Sequence, residues 1–138
     1  MIIRNMTIGD YDEVYALWLS VPGVGLHDPD DSREGIDKYL RRNPATSFVA
    51  EESGTIVGAI MAGHDGRRGY ISHTAVSPSR QGTGIGKRLA EAALEALRRE
   101  GITKAALVAF RDNDRGNAFW EHLGFSERAD LFYRQKWT

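Results

Sequence analysis

A glycine-rich turn directly precedes the most regular helical pattern in the sequence. Glycines stand at positions 82, 84 and 86, and a helix is predicted over 85–100 from apolar residues on one side and charged residues on the other. Glycines let backbone N–H groups at a helix start approach a ligand, and the helix dipole adds about half a positive charge there. The turn therefore predicts a phosphate or pyrophosphate site, with Arg80, Lys87 and Arg88 adding positive charge.

Two common nucleotide-binding loops do not fit this spacing. A Walker loop needs a glycine five positions before Gly86 and a serine or threonine after Lys87, where the chain has Gln81 and Arg88. The dinucleotide fingerprint Gly-x-Gly-x-x-Gly also fails, because neither register of the glycines supplies its third glycine. A plain strand-to-helix turn is the alternative to an anion site.

Two motifs in this order are similar to those of one protein family. Val76-Ser77-Pro78 at a predicted strand end, followed by Gln81-x-x-Gly84-x-Gly86, closely resembles the acetyl-CoA-binding motif of the GCN5-related N-acetyltransferase (GNAT) family. Asn113 and the run 118–125, which reads Ala-Phe-Trp-Glu-His-Leu-Gly-Phe, resemble that family's second motif. The predicted order of elements is also similar, so the resemblance covers essentially the whole chain.

The resemblance implies that acetyl-CoA is the co-substrate and that the backbone N–H groups of the turn hold its pyrophosphate. Pantetheine would pair with the strand ending at Val76, which splays from its parallel neighbour ending near Ala109. The Val76 amide would stabilise the oxyanion, and Asn113 would contact pantetheine or, alternatively, cap a helix. The implied CoA-binding residues are Val76, Gln81, Gly82, Thr83, Gly84, Ile85, Gly86, Lys87, Asn113 and Trp120.

Catalysis also needs a base, because an alkyl ammonium has a pKa of about 10.4 and only its neutral form attacks the thioester. Family members often use a glutamate on a central strand, but segments 70–74 and 107–109, around the implied splay, contain no carboxylate. His73 is the best local candidate, with a partly buried structural histidine as the alternative. Strand alternation places Tyr70 on the face opposite His73 unless a bulge intervenes.

Trp120 stands where the family commonly has the tyrosine that reprotonates the CoA thiolate, seven residues after Asn113. An indole N–H cannot act as that acid. Either the thiolate leaves without a general acid, or Tyr133 or His122 substitutes. Trp120 itself would pack along the pantetheine or in the core.

An acidic loop after the first predicted helix supplies candidates for acceptor binding. The resemblance implies that the segment from the end of this helix through the second helix walls the acceptor site. Asp28 and Asp31 would attract a cationic amine, of a small molecule or of a peptide or protein, and Tyr70 completes the predicted substrate-binding set. Helix capping and solubility are the alternative roles for the carboxylates.

The elements that must position these residues alternate between strands and helices. Hydrophobic periodicity predicts the order β-α-α-β-β-β-α-β-α-β-β, with two closing strands within 125–137. We expect one domain over residues 1–138, of α/β (α+β) class. It would have a mixed, mostly antiparallel central sheet of about six or seven strands and about four helices, which is the GNAT-like acyl-CoA N-acyltransferase fold that the resemblance implies.

Composition excludes several other classes of protein. The 138 residues include no cysteine, which excludes a disulfide scaffold and an acyl-cysteine intermediate. With 18 Lys+Arg against 19 Asp+Glu, no overall positive charge favours a nucleic-acid partner. Residue spacing suggests no metal, no apolar run is long enough for a membrane span, and the start lacks a signal-peptide pattern, so we expect a cytoplasmic protein.

These observations predict an acyl-CoA-dependent N-acetyltransferase that transfers the acetyl group to a primary amine by direct attack in a ternary complex. The missing glutamate and tyrosine leave an alternative open, a catalytically weakened acyl-CoA-binding module that acts as a sensor or interaction domain. Another phosphate-bearing ligand in the turn is a third. Family members are often dimers, so the resemblance is compatible with a homodimer.

Overall fold

The computed structural model describes residues 1–27 and 29–138, so the predicted acceptor residue Asp28 lies outside the described residues. The chain forms two compact units, Met1–Val108 and Ala109–Thr138. Among the described residues, the first unit contains a five-stranded sheet and three α-helices, and the second contains one α-helix. In chain order the elements are β1 (Ile2–Asn5), α1 (Tyr11–Ser20), α2 (Arg33–Arg42), β2 (Phe48–Glu52), β3 (Thr55–His64), β4 (Gly69–Val76), α3 (Ile85–Arg99), β5 (Ala105–Leu107) and α4 (Asp114–His122).

The strands of the sheet lie side by side in chain order. β1, β2, β3 and β4 pair antiparallel with their neighbours, and β5 pairs parallel with β4. A parallel pair needs a crossover between its strands, which α3 supplies. The predicted mixed, mostly antiparallel sheet and the four helices are confirmed.

The predicted closing strands do not form. Residues 125–138 are all described and contain no strand, so the sheet has five strands instead of about six or seven. Arg128 Nε binds Asp130 Oδ1 at 2.9 Å, but Phe132 and Trp137 are 85% and 74% exposed. A strand needs a neighbour for its backbone groups, and a lone hairpin is marginal in water. Alternation alone therefore overestimates the strand count.

Helices cover both faces of the sheet in the first unit. α1 and α2 cover one face, where Trp18 and Met61 belong to the buried core. α3 covers the other face, where a Cβ at Gly58 would lie only 2.9 Å from Leu89 Cδ1. Burial on both faces explains why β3 reads as an almost continuous apolar run rather than as alternating residues.

Side chains cap the starts of the first two helices. Before α1, the Asp10 carboxylate accepts the Thr7 N–H at 2.9 Å, which forms a capping box. Ser32 caps α2 by accepting the Gly35 N–H at 3.1 Å. None of the described helices is both long and apolar enough to cross a membrane.

A β-bulge interrupts the pairing of β3 with β4. The pairs Met61–Ser72 and Ala59–Ala75 leave one residue of β3 opposite two residues of β4, the first of which is His73. His73 has a φ of 46°, which few non-glycine residues adopt. The extra residue shifts the alternation of β4, so the side chains before and after it no longer follow one regular pattern.

Candidate active site

The end of β4 directs backbone groups away from β3. Val76 pairs with Gly58, and the next hydrogen bond runs from Ser77 N–H to Val57 O at 2.8 Å. In an antiparallel ladder this pattern makes Val76–Gly58 a non-hydrogen-bonded pair, so the N–H and C=O of Val76 both point away from β3. Gln81 Nε2 donates to that C=O at 3.1 Å. The Val76 N–H lies on the same edge, toward the β5 side of the sheet.

This edge of β4 extends well past its parallel neighbour. β5 pairs with β4 from Gly69–Ala105 to Ile71–Leu107, whereas β4 continues through residues 72–76. A strand edge beyond its partner offers alternating N–H and C=O groups to an extended ligand. The edge is therefore suited to a ligand that binds like an additional strand.

The glycine-rich turn adopts a backbone conformation that glycine takes readily. Gly82 and Gly84 have φ values of 80° and 88°, and a Cβ at either would meet no heavy atom within 4 Å. The left-handed backbone, and not a lack of space for a side chain, explains why glycine stands at these two positions. The surface of the turn is therefore open. The first hydrogen bond of α3 joins Arg88 N–H to Gly84 O at 3.1 Å. The N–H groups of residues 85–87 precede it and have no acceptor within the helix.

Positive charge at the turn comes from α3 rather than from Arg80. The Arg80 guanidinium binds Glu52, with Nε 2.8 Å from Oε1. Lys87 and Arg88 are exposed in the first turn of α3, and Lys87 Nζ lies 3.9 Å from Glu91 Oε1 in a loose surface pair. Two of the three predicted cations are therefore exposed on the first turn of α3, while the third ties the glycine-rich turn to the end of β2.

His73 lies against α1 and the loop that follows it. Its ring meets Trp18 edge-on, with centroids 4.9 Å apart, and its Nε2 lies 2.6 Å from Asp31 Oδ1. The side chains of His73 and Asp31 are only 17% and 9% exposed. The bulge explains this placement, because in a regular strand His73 would share the α3 face with Ile71.

Asp31 is held by its loop rather than displayed to solvent. Its Oδ2 accepts the His27 N–H at 2.6 Å, and its backbone C=O accepts the Tyr11 O–H at 2.6 Å. Its own N–H donates to His27 O at 2.9 Å. Capping of α2, the alternative role for this carboxylate, belongs to Ser32 instead. The Asp31 carboxylate therefore faces His73.

Tyr70 lies on the same face as His73, nearer the start of β4. It pairs with Gly63, where a Cβ would lie 2.5 Å from Tyr39 Oη, so this position faces α2. Tyr70 is 40% exposed. The structure thus brings Tyr70, His73 and Asp31 to one side of the sheet, and the bulge is the reason that residues three apart share it.

The predicted residues of the second unit make contacts within that unit. Asn113 Oδ1 accepts an N–H of the first turn of α4 at 3.0 Å, so the capping alternative is observed. Trp120 packs edge-on against Phe119 and Phe125, with ring centroids 4.8 and 5.2 Å away. Tyr133 is 69% exposed.

The part of the chain that the structure describes holds no candidate metal centre. No three His, Cys, Asp or Glu side chains among residues 1–27 and 29–138 gather closely enough to bind an ion. The Asp31–His73 pair supplies two ligands, fewer than the three or four that protein-bound zinc takes.

Sequence reasoning left a bulge in β4 open as an exception to strand alternation but did not predict the contact of His73 with Trp18. The available signal was the polar run 72–74 inside an otherwise apolar strand. Such a run indicates an irregularity, but it does not reveal an extra residue, because register depends on packing against the neighbouring strand.

Comparisons with known sequences agree with this geometry. The sequence profile described as the Acetyltransferase (GNAT) family matches residues 11–125. The chain is 34% identical over 132 residues to the protein named Acetyltransferase plu1384 of Photorhabdus laumondii, with 93% of this chain and 88% of that protein covered. Similarity at this level over nearly full length shows a common family.

Solved structures share the fold at lower identity. Ard1 from Thermoplasma volcanium has a TM-score of 0.82 at 23% identity, with 93% of this chain and 84% of that chain covered. A protein of Clostridium acetobutylicum that is described as a predicted acetyltransferase, and whose crystal structure contains acetyl-CoA, has a TM-score of 0.77 at 19% identity, with 97% of this chain and 95% of that chain covered. The predicted fold and enzyme class are thus confirmed: the chain belongs to the GNAT family of acetyltransferases.

Proposed function

We propose that this acetyltransferase moves the acetyl group of acetyl-CoA to a primary amine by direct attack in a ternary complex. The observation that carries the proposal is that residues 76–87 present two kinds of N–H donor. The Val76 N–H stands on an extended strand edge, and the N–H groups of residues 85–87 stand open at the start of α3. A thioester and a pyrophosphate joined by pantetheine need donors of both kinds.

The CoA-binding residues are assigned accordingly. Amides of the turn would hold the pyrophosphate, and the exposed Lys87 would add charge to the helix start. Contacts of Asn113 and Trp120 with pantetheine stay predictions. The turn residues in this assignment are Gln81, Gly82, Thr83, Gly84, Ile85, Gly86 and Lys87.

The proposed chemistry uses His73 as the base. Its imidazole takes a proton from the acceptor ammonium, and the neutral nitrogen attacks the thioester carbon. The new C–N bond leaves a tetrahedral oxyanion, which accepts the Val76 N–H. The C–S bond then breaks, and the nitrogen loses its remaining extra proton to solvent as the amide forms. The thiolate takes a proton from solvent or from Tyr133, which then regains one from solvent. The chain has no cysteine to carry an acyl group, which supports direct transfer.

The acceptor is proposed to approach the face of the sheet that carries His73 and Tyr70. Asp31 adds negative charge at this face, which suits a cationic amine of a small molecule or of a peptide or protein. Asp28 stays a predicted acceptor contact outside the described residues. A homodimer, a cytoplasmic location and the absence of metal, nucleic-acid and membrane partners stay predictions as well.

Thiol release from acetyl-CoA tests the proposed function. The purified protein is incubated with acetyl-CoA and a panel containing a polyamine, free amino acids and lysine-bearing peptides, and CoA thiol is titrated while acetylated amine is measured by mass spectrometry. We expect amine-dependent release with equal amounts of both products. A raised Tm with acetyl-CoA but no release with any amine would instead indicate a sensor module, and an unchanged Tm would indicate a different ligand.

A further inference from the structure

The contact between His73 and Asp31 has a defined proton arrangement. We propose that Asp31 is a positioning residue that fixes the tautomer and orientation of the catalytic imidazole; this rests on the proposed function of His73 as base. Nε2 and Oδ1 lie 2.6 Å apart, and an ionised carboxylate can only accept. The Nε2 atom therefore carries the proton, which leaves the lone pair of a neutral imidazole on Nδ1.

Both partners of this contact are fixed by further interactions. Asp31 accepts the His27 N–H at its Oδ2 and the Tyr11 O–H at its C=O, and its own N–H donates to the His27 C=O. The His73 ring is held edge-on by Trp18, which is 1% exposed. An imidazole with one nitrogen bonded to a buried carboxylate and one edge against an indole has little freedom to rotate.

The backbone of β4 is shaped to allow this contact. His73 adopts a φ of 46° within the bulge, a conformation that costs a non-glycine residue free energy unless the surroundings maintain it. Without the extra residue His73 would lie on the α3 face, away from Asp31 and Trp18. The strained residue is thus the one whose side chain the proposed reaction uses, and its pairing with Asp31 offsets part of the strain.

The carboxylate also stabilises the charge that forms on the imidazole. When Nδ1 takes the proton of the acceptor ammonium, the ring becomes an imidazolium whose Nε2–H still bonds Asp31. The ring contacts Trp18 from α1 and Asp31 from the loop. Of these two partners, Asp31 is the one that can carry charge. The proton then leaves Nδ1 to solvent after each turnover.

The test compares Asp31→Asn with Asp30→Asn, the neighbouring exposed carboxylate. Asparagine keeps an acceptor for His27 N–H but removes the charge. We expect Asp31→Asn to lower kcat/KM for the amine about tenfold or more, with KM for acetyl-CoA unchanged. The acidic limb of kcat/KM against pH should move to lower pH, because an amide stabilises the protonated ring less. Asp30→Asn should leave rate and limb unchanged.

A double variant separates positioning from a merely structural role. If Asp31 acts through His73, adding Asp31→Asn to His73→Asn should cost nothing further, and asparagine is chosen at position 73 because it tolerates positive φ. Two outcomes in an active wild type would overturn the positioning role. One is that the losses of kcat/KM in the two single variants multiply in the double variant, and the other is that Asp31→Asn leaves the acidic limb in place. A wild type that releases no thiol with any amine would overturn the proposed function and this role together.

The tautomer has a readout that does not depend on turnover. Long-range ¹H–¹⁵N spectra of the wild-type protein above neutral pH should show the His73 proton on Nε2. Observation of the Nδ1–H tautomer would overturn the proposal even with an active enzyme.

Discussion

Gln81 reaches back from the glycine-rich turn to the end of β4, where its Nε2 donates to the carbonyl oxygen of Val76 at 3.1 Å. The bond occupies the C=O on the same strand edge that presents the Val76 N–H. A single side chain therefore joins the proposed pyrophosphate end of the site to the proposed oxyanion end.

Removing this hydrogen bond should weaken both the binding of the pyrophosphate and the stabilisation of the oxyanion. Gln81→Leu deletes the donor, and because one hydrogen bond contributes about 1 kcal/mol we expect kcat/KM for acetyl-CoA to fall about fivefold or more. Gln81→Glu should lose more, since a carboxylate would face the Val76 oxygen. Steady-state kinetics with acetyl-CoA varied measures both. Unchanged values in the two variants would show that Gln81 does not hold the Val76 peptide.

Gly84 and Gly101 form a matched pair at the two ends of α3. They have φ values of 88° and 81°, and a Cβ at either meets no heavy atom within 4 Å. Alanine should destabilise both sites through backbone strain, by about 1 kcal/mol. Only Gly84→Ala should raise KM for acetyl-CoA, because only that turn carries the proposed pyrophosphate site. Equal KM values for the two variants would place the pyrophosphate elsewhere.

Gly35 supports the loop that holds Asp31. A Cβ at Gly35 would lie 2.3 Å from the backbone oxygen of Asp30, so Gly35→Ala must displace the loop. We expect a loss of about 1–3 kcal/mol of stability and a lower kcat with the amine. At Gly9 the nearest atom would be Thr7 Oγ1 at 3.6 Å, an ordinary contact, so Gly9→Ala is the control. Thermal unfolding and thiol release measure the two effects, and a wild-type kcat in Gly35→Ala would exclude the loop from the site.

Arg4 and Asp10 predict an acid-sensitive contribution to stability. Arg4 binds both carboxylate oxygens of Asp10, at 2.8 and 2.9 Å, and these bonds hold the pKa of Asp10 below its usual value of 3.8. The Arg4–Asp10 ion pair therefore contributes fully to folding stability above the unfolded-state pKa of about 3.9. This contribution is lost as the pH falls through the lower pKa of Asp10 in the folded state. Asp10→Asn should lower stability at neutral pH and flatten this acid dependence.

The expected loss in Asp10→Asn at neutral pH is about 1 kcal/mol, because the Arg4 side chain is 35% exposed and solvent screens the pair. Asp12→Asn is the control, since Asp12 is 86% exposed in its pair with Arg33 and should change stability little. Urea unfolding at several pH values measures both variants. If the free energy of unfolding varies with pH in the same way in the wild type and in Asp10→Asn, the Arg4–Asp10 pair is not the source of the acid dependence.

Local signals in the sequence predict most of the first unit. The Ser53-Gly54 turn, with φ values of 51° and 79°, joins β2 to β3, which are consecutive strands in the predicted order of elements. The turn at Gly82 and Gly84 adopts the left-handed conformations that its glycines allow. Each of these features depends on a few adjacent residues, so a short stretch of sequence contains the information.

Features that depend on distant residues were not predicted. The contact of His73 with Asp31 joins positions 42 apart, and it requires a bulge whose register is set by packing against β3. The closing strands were predicted from alternation in 125–137, but pairing depends on a neighbouring edge that alternation does not supply. For the same reason the sequence did not predict that Asp31 is buried and paired with His73.

The bulge also gives β4 one residue more than regular pairing with β3 requires, and its loss would be visible in related sequences. Ile71 and Ala75 are both buried, yet their cross-strand partners Ala62 and Ala59 lie on opposite faces of the sheet. A relative that lacks one residue at 72–73 could keep both in place with a regular strand. Such a one-residue gap would mark proteins that have given up the histidine site while retaining the fold.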